Sequence, residues 1–539
     1  MKRYLLLVLA AFAGVFTPAG AQVLSCKASQ DQAALYSRVD FDIQLKGNWE
    51  NPYRQQEVTL DMMITAPDGS SLVLPCFHVE GESGEVSDWQ ARFTPRQCGT
   101  YSYTFIYKEK GEVESAGCGG ILKVVPSEGQ GMLNVNDNWT LKFDNGDLFR
   151  GIGENICWES RANDDSKFFS DLHEQADRYN YDYMLPLFAD NGGNFIRVWM
   201  CGWNFPIDKK DHFNNIRYTA TDKPINKSAV ERLDHMFDLC ENLGIKVMLC
   251  MGAGEARTDE NFFTSDEARA EHKNRLRYII ARWGYSTSLA MWEFFNEIDN
   301  IQFRAHGRPI PHEAITSWHA EMAKYVKAVD PYVHIVTTSI SHRDVVGMND
   351  VPDMDINQKH IYNNTKDIPN TLHRYTAAHN KPYIIGECGY EWDWSKNFND
   401  FADGMDWDFR KCSWYGLVNP TPVIPMSWWW EFFEDRGMMK YYKPVREISD
   451  MMLASGEGSF EELPLKAANA EMYAVKCGQK VFVYFFNDSA KSVKIDELTK
   501  QGWTSVSEYD IEKCTVLKAR KPASFTLKAH KEKLFIVEL

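Results

Sequence analysis

Between residues 132 and 455 the sequence alternates short apolar runs with helix-period segments, and this alternation limits the fold more than any other feature. The runs are Phe149–Ile156, Asn194–Met200, Lys246–Met251, Ala290–Phe295, His334–Ile340, Asp355–Tyr362, Pro382–Gly386 and Val423–Trp430. Most lack the polar alternation of a strand with one wet face, so they read as strands covered on both sides. Between them, Ala229–Leu243 places Leu233, Met236, Phe237 and Cys240 on one helical face, and Glu267–Trp283 and Glu313–Val329 are further helix-period segments. Eight buried strands separated by helices predict a closed parallel (β/α)8 barrel over residues 132–455. A doubly wound open sheet is the rival. It would be announced by a glycine-rich phosphate turn, and Gly151-Ile-Gly153-Glu-Asn-Ile156 lacks the third glycine.

The flanking segments switch to a period of two. Val39, Phe41, Ile43 and Leu45 alternate with polar residues, Val58, Leu60, Met62 and Ile64 repeat the pattern, and Tyr101, Tyr103, Phe105 and Tyr107 do so again. Turn residues such as Pro67-Asp68-Gly69 separate them, so residues 22–126 read as an immunoglobulin-like β-sandwich ending at the linker Pro126–Gly131. After Ser455-Gly-Glu-Gly458 the alternation returns in Val481–Phe486 and Phe525–Leu527, which predicts a small antiparallel sandwich over 459–539. The expected architecture is thus multidomain, α/β plus all-β.

Residues 1–21 carry the marks of a signal peptide: Lys2 and Arg3, the apolar run Leu5–Phe16, and the small residues Ala19-Gly20-Ala21. Export is the expectation, to the periplasm, the outside or the outer membrane of a bacterium. Cys26, after Val23-Leu24-Ser25, offers an alternative lipid-anchor site. No later run approaches the ~20 apolar residues of a membrane helix. The twelve cysteines are scattered without a Cys-x-x-Cys pair, which excludes a zinc ribbon and leaves a bridge within the first domain open. A net charge of −16 argues against a nucleic-acid partner. Seventeen Trp and 24 Tyr exceed what core packing usually demands, and flat aromatic faces suit sugar rings.

In a parallel barrel the chemistry gathers at the carboxyl ends of the strands. The fourth run continues into Asn296-Glu297-Ile-Asp299 and the seventh into Glu387-Cys-Gly389, so each places a carboxylate just past a buried strand. Two facing carboxylates suit glycoside cleavage, one protonating the leaving oxygen and the other attacking or activating water. A bare Gly-Glu occurs seven times in the chain. Glu387 is selected by its place after the seventh strand, with Glu154 and Glu255 as competitors.

At this point a resemblance becomes specific. Trp292-Glu-Phe-Phe-Asn296-Glu297 resembles the W-E-x-x-N-E strand end of clan A glycoside hydrolases, the cellulase- and mannanase-like retaining enzymes, and Asn274–Tyr285 is similar to that clan's third helix. The flanking segments resemble the sandwiches often appended to such bacterial barrels. The resemblance implies an ionised Glu387 as nucleophile and Glu297, with a raised pKa, as acid and base. It implies Arg197, Asn296, His360 and Tyr362 as substrate-binding and supporting residues. In the same family a tryptophan at the end of strand eight lies under the sugar. Strand alternation favours Trp428 and Trp430 over Trp429 for that place, and Trp392 and Trp394 would extend the platform. A carbohydrate substrate, β-linked, is expected, with no cofactor and no metal, since no His-Glu-x-x-His, Ca-loop, Gly-x-Ser-x-Gly or Walker pattern occurs. The rival function is a glycan-binding or adhesion protein built on a hydrolase-like barrel. The sugar, the linkage, internal against terminal cleavage, and the oligomeric state are not legible.

Overall fold

The computed structural model describes residues 22–161, 175, 177–252, 258–304, 308–391 and 397–539. The proposed signal peptide, Glu255, Trp392 and Trp394 lie outside them. The chain divides into two compact units, one formed mainly by residues up to 125 and the other by residues 126–539 with the short segments 34–38 and 94–96.

The first unit is built from two antiparallel sheets. One holds Gln22–Ala28, Val39–Lys46, Val86–Phe93 and Phe77–Glu80 in that order. The other runs Gln32–Ala34, Glu112–Val125, Gly99–Glu109, Val58–Thr65 and Ser71–Pro75. The period-two pattern is the cause: along Val39–Lys46 the apolar residues are buried while Asp42, Gln44 and Lys46 face water. A disulfide joins Cys26 on the first sheet to Cys118 on the second. The Cys26 sulfur therefore cannot carry the thioether of a lipid anchor, and that alternative is corrected.

The second unit is a TIM barrel with a β-rich C-terminal region. Parallel strands Gly153–Asn155, Phe195–Trp199, Lys246–Cys250, Leu289–Glu293 and Ile335–Thr337 pair in sequence order. A break at Thr338 separates these from Ser339–Ile340, Asn357–Tyr362 and Tyr383–Gly389. The eighth position is not a regular strand. Isolated bridges Gly151–Val423, Glu154–Ser427 and Cys388–Ser427 close the ring there, and a helix already starts at Trp430. The first expected strand is also split. Leu148–Phe149 pairs with Leu141–Phe143, which pairs with Leu133–Val135, and this small sheet packs its apolar side chains against Phe195, Ala290, Ile335 and Ile384 in the barrel core.

The helices between strands end where their sequences say they should. Lys227–Leu243 is capped by the Asn226 side chain on the Ala229 N–H and stops at Gly244, which takes the left-handed conformation glycine tolerates. The C-terminal region forms a six-stranded antiparallel sheet and a two-stranded one. It packs on the barrel helix Ala402–Leu417, with Trp407 stacked on Phe486 at 4.4 Å and Trp414 on Tyr484 at 5.2 Å.

Candidate active site

Arg197, in the middle of the second barrel strand, is fully buried and organises the carboxyl ends of its neighbours. Its Nε and Nη2 donate to the two oxygens of Glu293 at 2.6 and 2.8 Å. Nη2 also reaches Asn296 Oδ1 at 2.8 Å, while Nη1 donates to Glu387 Oε1 at 2.5 Å and to Asn155 Oδ1 at 3.2 Å. These partners come from strands one, four and seven, so one guanidinium on strand two fixes their ends relative to each other. A buried guanidinium needs such partners because an unpaired charge inside a barrel is prohibitively costly. Glu293 and Asn155 escaped the sequence reading. The signal was present in Glu293: a carboxylate inside an apolar strand demands a buried cation.

Glu387 sits on strand seven, where glycine is required just before it: a Cβ on Gly386 would lie 1.7 Å from Gln358 Oε1. The Tyr362 hydroxyl donates to Glu387 Oε2 at 2.5 Å, and His360 Nδ1 lies 3.3 Å from the same oxygen. His360 Nδ1 is also 3.0 Å from Glu297 Oε1, so the imidazole stands between the two carboxylates. One donor atom from each of Glu297, His360 and Glu387 lies within 4.8 Å of the others, close enough that a metal ion could also be held there.

Glu297 has a left-handed backbone with φ of 50°, a strained conformation for a residue with a side chain, of order 1–3 kcal/mol. Its N–H donates to Ser339 Oγ at 2.8 Å and its Oε2 accepts from Asn300 Nδ2 at 2.7 Å, which hold it there. Two residues on, the buried Asp299 accepts the backbone N–H groups of Ser341, His342 and Arg343 at 2.7, 2.9 and 3.0 Å. That anchors the loop after strand five, from which the Ser341 side chain hydrogen-bonds to Glu297.

The acid–base directions at this site reverse the expectation. Burial pushes the Glu387 carboxyl above its usual range, against the opposing pull of His360 and Arg197. Burial also pushes Glu297 up, but a charged His360, the Ser341 hydroxyl and Arg197 outweigh it and draw Glu297 down to about 2. His360 Nε2 is buried with no hydrogen-bond partner among the described residues.

Trp428 is half-buried at the rim, at 5.5 Å from the Trp158 ring and 5.2 Å from Trp199. Trp430 is only 1% exposed and packs edge-on against Trp158 at 4.8 Å. It backs the wall instead of forming its surface, because the irregular eighth segment breaks the alternation that favoured it. Trp429 points to Phe398 and donates its indole N–H to the Tyr390 carbonyl. Glu154 is fully buried, with Tyr442, Glu431 and Glu434 as its electrostatic neighbours.

Comparisons with known proteins agree with this geometry. Residues 163–420 match the family model for cellulase (glycosyl hydrolase family 5), and residues 32–108 match a domain of unknown function, DUF5060. A mannan endo-1,4-beta-mannosidase A of Podospora anserina is 22% identical over 277 residues, 42% of this chain and 71% of that one. The Aspergillus aculeatus enzyme of the same name is 24% identical over 178 residues, and the match spans 29% of this chain and less than half of that one, 44%. A solved Bacteroides vulgatus structure assigned to the glycoside hydrolases shares the fold, with a TM-score of 0.65 at 15% identity, covering 95% of this chain and all of that one.

Proposed function

Because this chain carries a clan A glycoside hydrolase domain of the cellulase family and is a glycosidase, we propose that it cleaves a β-linked glycan by retaining double displacement, with Glu387 as nucleophile and Glu297 as acid and base. The observation that carries this reading is the spacing. One oxygen of each carboxylate lies within 4.8 Å of the other, which supports a retaining pair, whose carboxyl groups stand ~5–5.5 Å apart.

The roles follow from the partners. Arg197 and Tyr362 each place a donor on one oxygen of Glu387, which favours its ionised form and aims it. Glu297 has neither partner and is the more exposed of the two, with its side chain 20% exposed against 4% for Glu387. In the first step Glu387 attacks the anomeric carbon, the bond to the leaving oxygen breaks, and the Glu297 proton passes to that oxygen. In the second step Glu297 takes a proton from water, the water oxygen attacks the anomeric carbon, and the ester to Glu387 breaks. The first step needs Glu297 protonated, and a bound sugar that excludes water from this carboxyl raises its pKa from the low value it has in the free protein. Asn296, held by Arg197, stands beside Glu297, where it would hydrogen-bond a sugar hydroxyl, and Trp428 would pack under the ring.

The mannosidase relatives make β-1,4-linked mannan the first substrate to test. Export is part of the proposal, and the Cys26–Cys118 bridge supports it because such bonds persist in oxidising compartments. The test is hydrolysis of a panel of β-mannans, β-glucans and aryl β-glycosides by the parent, Glu297→Gln and Glu387→Gln. Release of reducing sugar by the parent, reduced at least 1000-fold in Glu387→Gln, is expected. Binding to an immobilised glycan with no release by the folded parent would overturn the reading in favour of a binding protein.

A further inference from the structure

Glu297 has to gain and lose a proton in each turnover, and a sugar bound against it shuts out water. In the free protein its carboxyl is held down at about 2, so it meets the substrate ionised and must be protonated before the first step. His360 touches it at 3.0 Å but offers no way in. That ring is buried, and its Nε2 has no hydrogen-bond partner among the described residues.

Another route leads outward through the loop after strand five. The Ser341 side chain hydrogen-bonds to Glu297, and its Oγ lies 2.6 Å from Nδ1 of His342. His342 Nε2 lies 3.5 Å from Glu391 Oε1, just past strand seven. Ser341 is buried, whereas the His342 and Glu391 side chains are 48% and 49% exposed. Hydroxyl and imidazole therefore bridge the distance from the carboxylate at the barrel centre to bulk water. Both groups donate and accept, and imidazole is the side chain that exchanges protons most readily near neutral pH.

The chain is held at both ends. Asp299, two residues beyond Glu297, accepts the backbone N–H groups of Ser341 and His342, so the loop is tied to the carboxylate it serves. The next residue, Arg343, lays its guanidinium over the Phe303 ring at 4.0 Å. At the outer end Glu391 donates its N–H to Asn363 Oδ1 at 3.0 Å and accepts Asn363 Nδ2 on Oε2 at 3.2 Å, which leaves Oε1 for His342. A half-exposed His–Glu pair contributes about 0–1 kcal/mol, too little for bracing to be its use.

We propose that Ser341 and His342 form a proton relay between Glu297 and solvent, loading the acid once a sugar covers it and unloading it after the product leaves. His342 starts neutral with its proton on Nδ1. Nε2 takes a proton from water, directly or by way of Glu391. The Nδ1 proton then passes to Ser341 Oγ while the Ser341 hydroxyl proton passes to Glu297. One proton has entered, Glu297 is neutral, and His342 keeps a single proton on Nε2. The two chemical steps use that proton and return Glu297 to its protonated form. After release the transfers run backwards, one proton goes to water, and His342 recovers its Nδ1 proton. Neither residue touches a reacting atom; both act through Glu297.

This rests on the glycosidase reading, and the choice of leaving group separates the two. The probes are the phenyl and 2,4-dinitrophenyl β-glycosides of a disaccharide of the sugar that the parent releases from the polysaccharide panel. A departing phenolate needs the proton of Glu297 and a dinitrophenolate does not, so only the phenyl glycoside reports proton supply. His342→Ala is expected to lose 10-fold or more in kcat/KM on the phenyl glycoside and to stay within twofold of wild type on the dinitrophenyl one. Imidazole added to the buffer should restore at least threefold of that loss. Adding His342→Ala to Ser341→Ala should lower the phenyl rate no further, because one chain is broken only once. An equal loss on both glycosides, or none on the phenyl glycoside, overturns the relay and leaves the glycosidase standing. A selective loss that imidazole does not restore assigns the effect to the charge of His342 acting on Glu297 and also overturns transfer. No release from any member of the panel by the folded parent overturns both.

Discussion

Replacing Glu293 by Gln changes one oxygen to an NH2 group and leaves the shape alone, yet its consequences should be large. Glu293 and Arg197 are both fully buried, and Glu293 accepts two of the guanidinium's N–H groups, at 2.6 and 2.8 Å. In the Glu293→Gln variant one of those N–H groups still meets an oxygen, now neutral, and the other meets an NH2, donor against donor. Removing one partner of a buried pair costs about 3–5 kcal/mol. At roughly 1 °C per kcal/mol for a unit of about 420 residues, Tm should fall by about 3–6 °C. Activity should report the same change. Arg197 pulls the Glu387 carboxyl downward, and with position 293 neutral that positive field is uncompensated. The Glu387 pKa therefore moves down, and the acid limb of the kcat/KM profile moves to lower pH. Thermal unfolding and a pH–rate series on one aryl glycoside measure both. A loss under about 1 kcal/mol with the acid limb in place would refute the argument that Arg197 ties the strand ends together through Glu293.

Tyr362→Phe removes the hydroxyl that donates to Glu387 Oε2 at 2.5 Å, a bond to a charged acceptor of about 1.5–3 kcal/mol, so kcat/KM should fall roughly 10- to 150-fold. That hydroxyl also draws the Glu387 carboxyl down, so here the acid limb should move up, opposite to Glu293→Gln, and a pH–rate profile checks the sign. Glu154 is held well above the usual carboxylate range by burial, so the folded state keeps its proton while the unfolded chain loses it above the ordinary Glu value. Stability from this group is thus lost as pH rises, and Glu154→Gln should gain about 1.4 kcal/mol per pH unit over wild type above that value, read by urea unfolding at pH 5, 6 and 7. Cys26→Ser opens a loop of 92 residues and should destabilise the first unit by up to about 4.5 kcal/mol, seen in its unfolding transition, with the barrel's hydrolysis rate unchanged.

Strands two to seven of the barrel were legible because each is a run buried on both faces, and such runs read the same in sequence and in space. The first and eighth were not. Phe149 belongs by its apolarity to a strand, but it pairs in the small sheet that packs on the barrel core. Val423–Trp430 looks like a strand yet meets its neighbours only at Val423 and Ser427. The alternation drawn on it therefore pointed Trp430 the wrong way. Glu297, Asn296, Arg197, His360, Tyr362 and Glu387 could be placed because strand position and motif coincide. Asn155 could not, since nothing in Gly-Ile-Gly-Glu-Asn distinguishes its inward Asn155 from the outward Glu154. Trp158 sits in a loop, where no periodicity reports direction. The Cys26–Cys118 pairing depends on which strands of two sheets face each other, which spacing does not contain.

The central claim is that Glu387 forms a bond to the sugar and Glu297 serves both steps. Azide added to Glu387→Gly, with an aryl β-glycoside bearing a good leaving group, tests it most directly. Azide should enter the space left by the carboxylate and restore turnover at least 100-fold, and NMR should show an α-glycosyl azide, inverted because only one displacement has occurred. Rescue that yields the β-azide, or a Glu387→Gly variant that hydrolyses the substrate at the parent's rate without azide, would contradict the assignment.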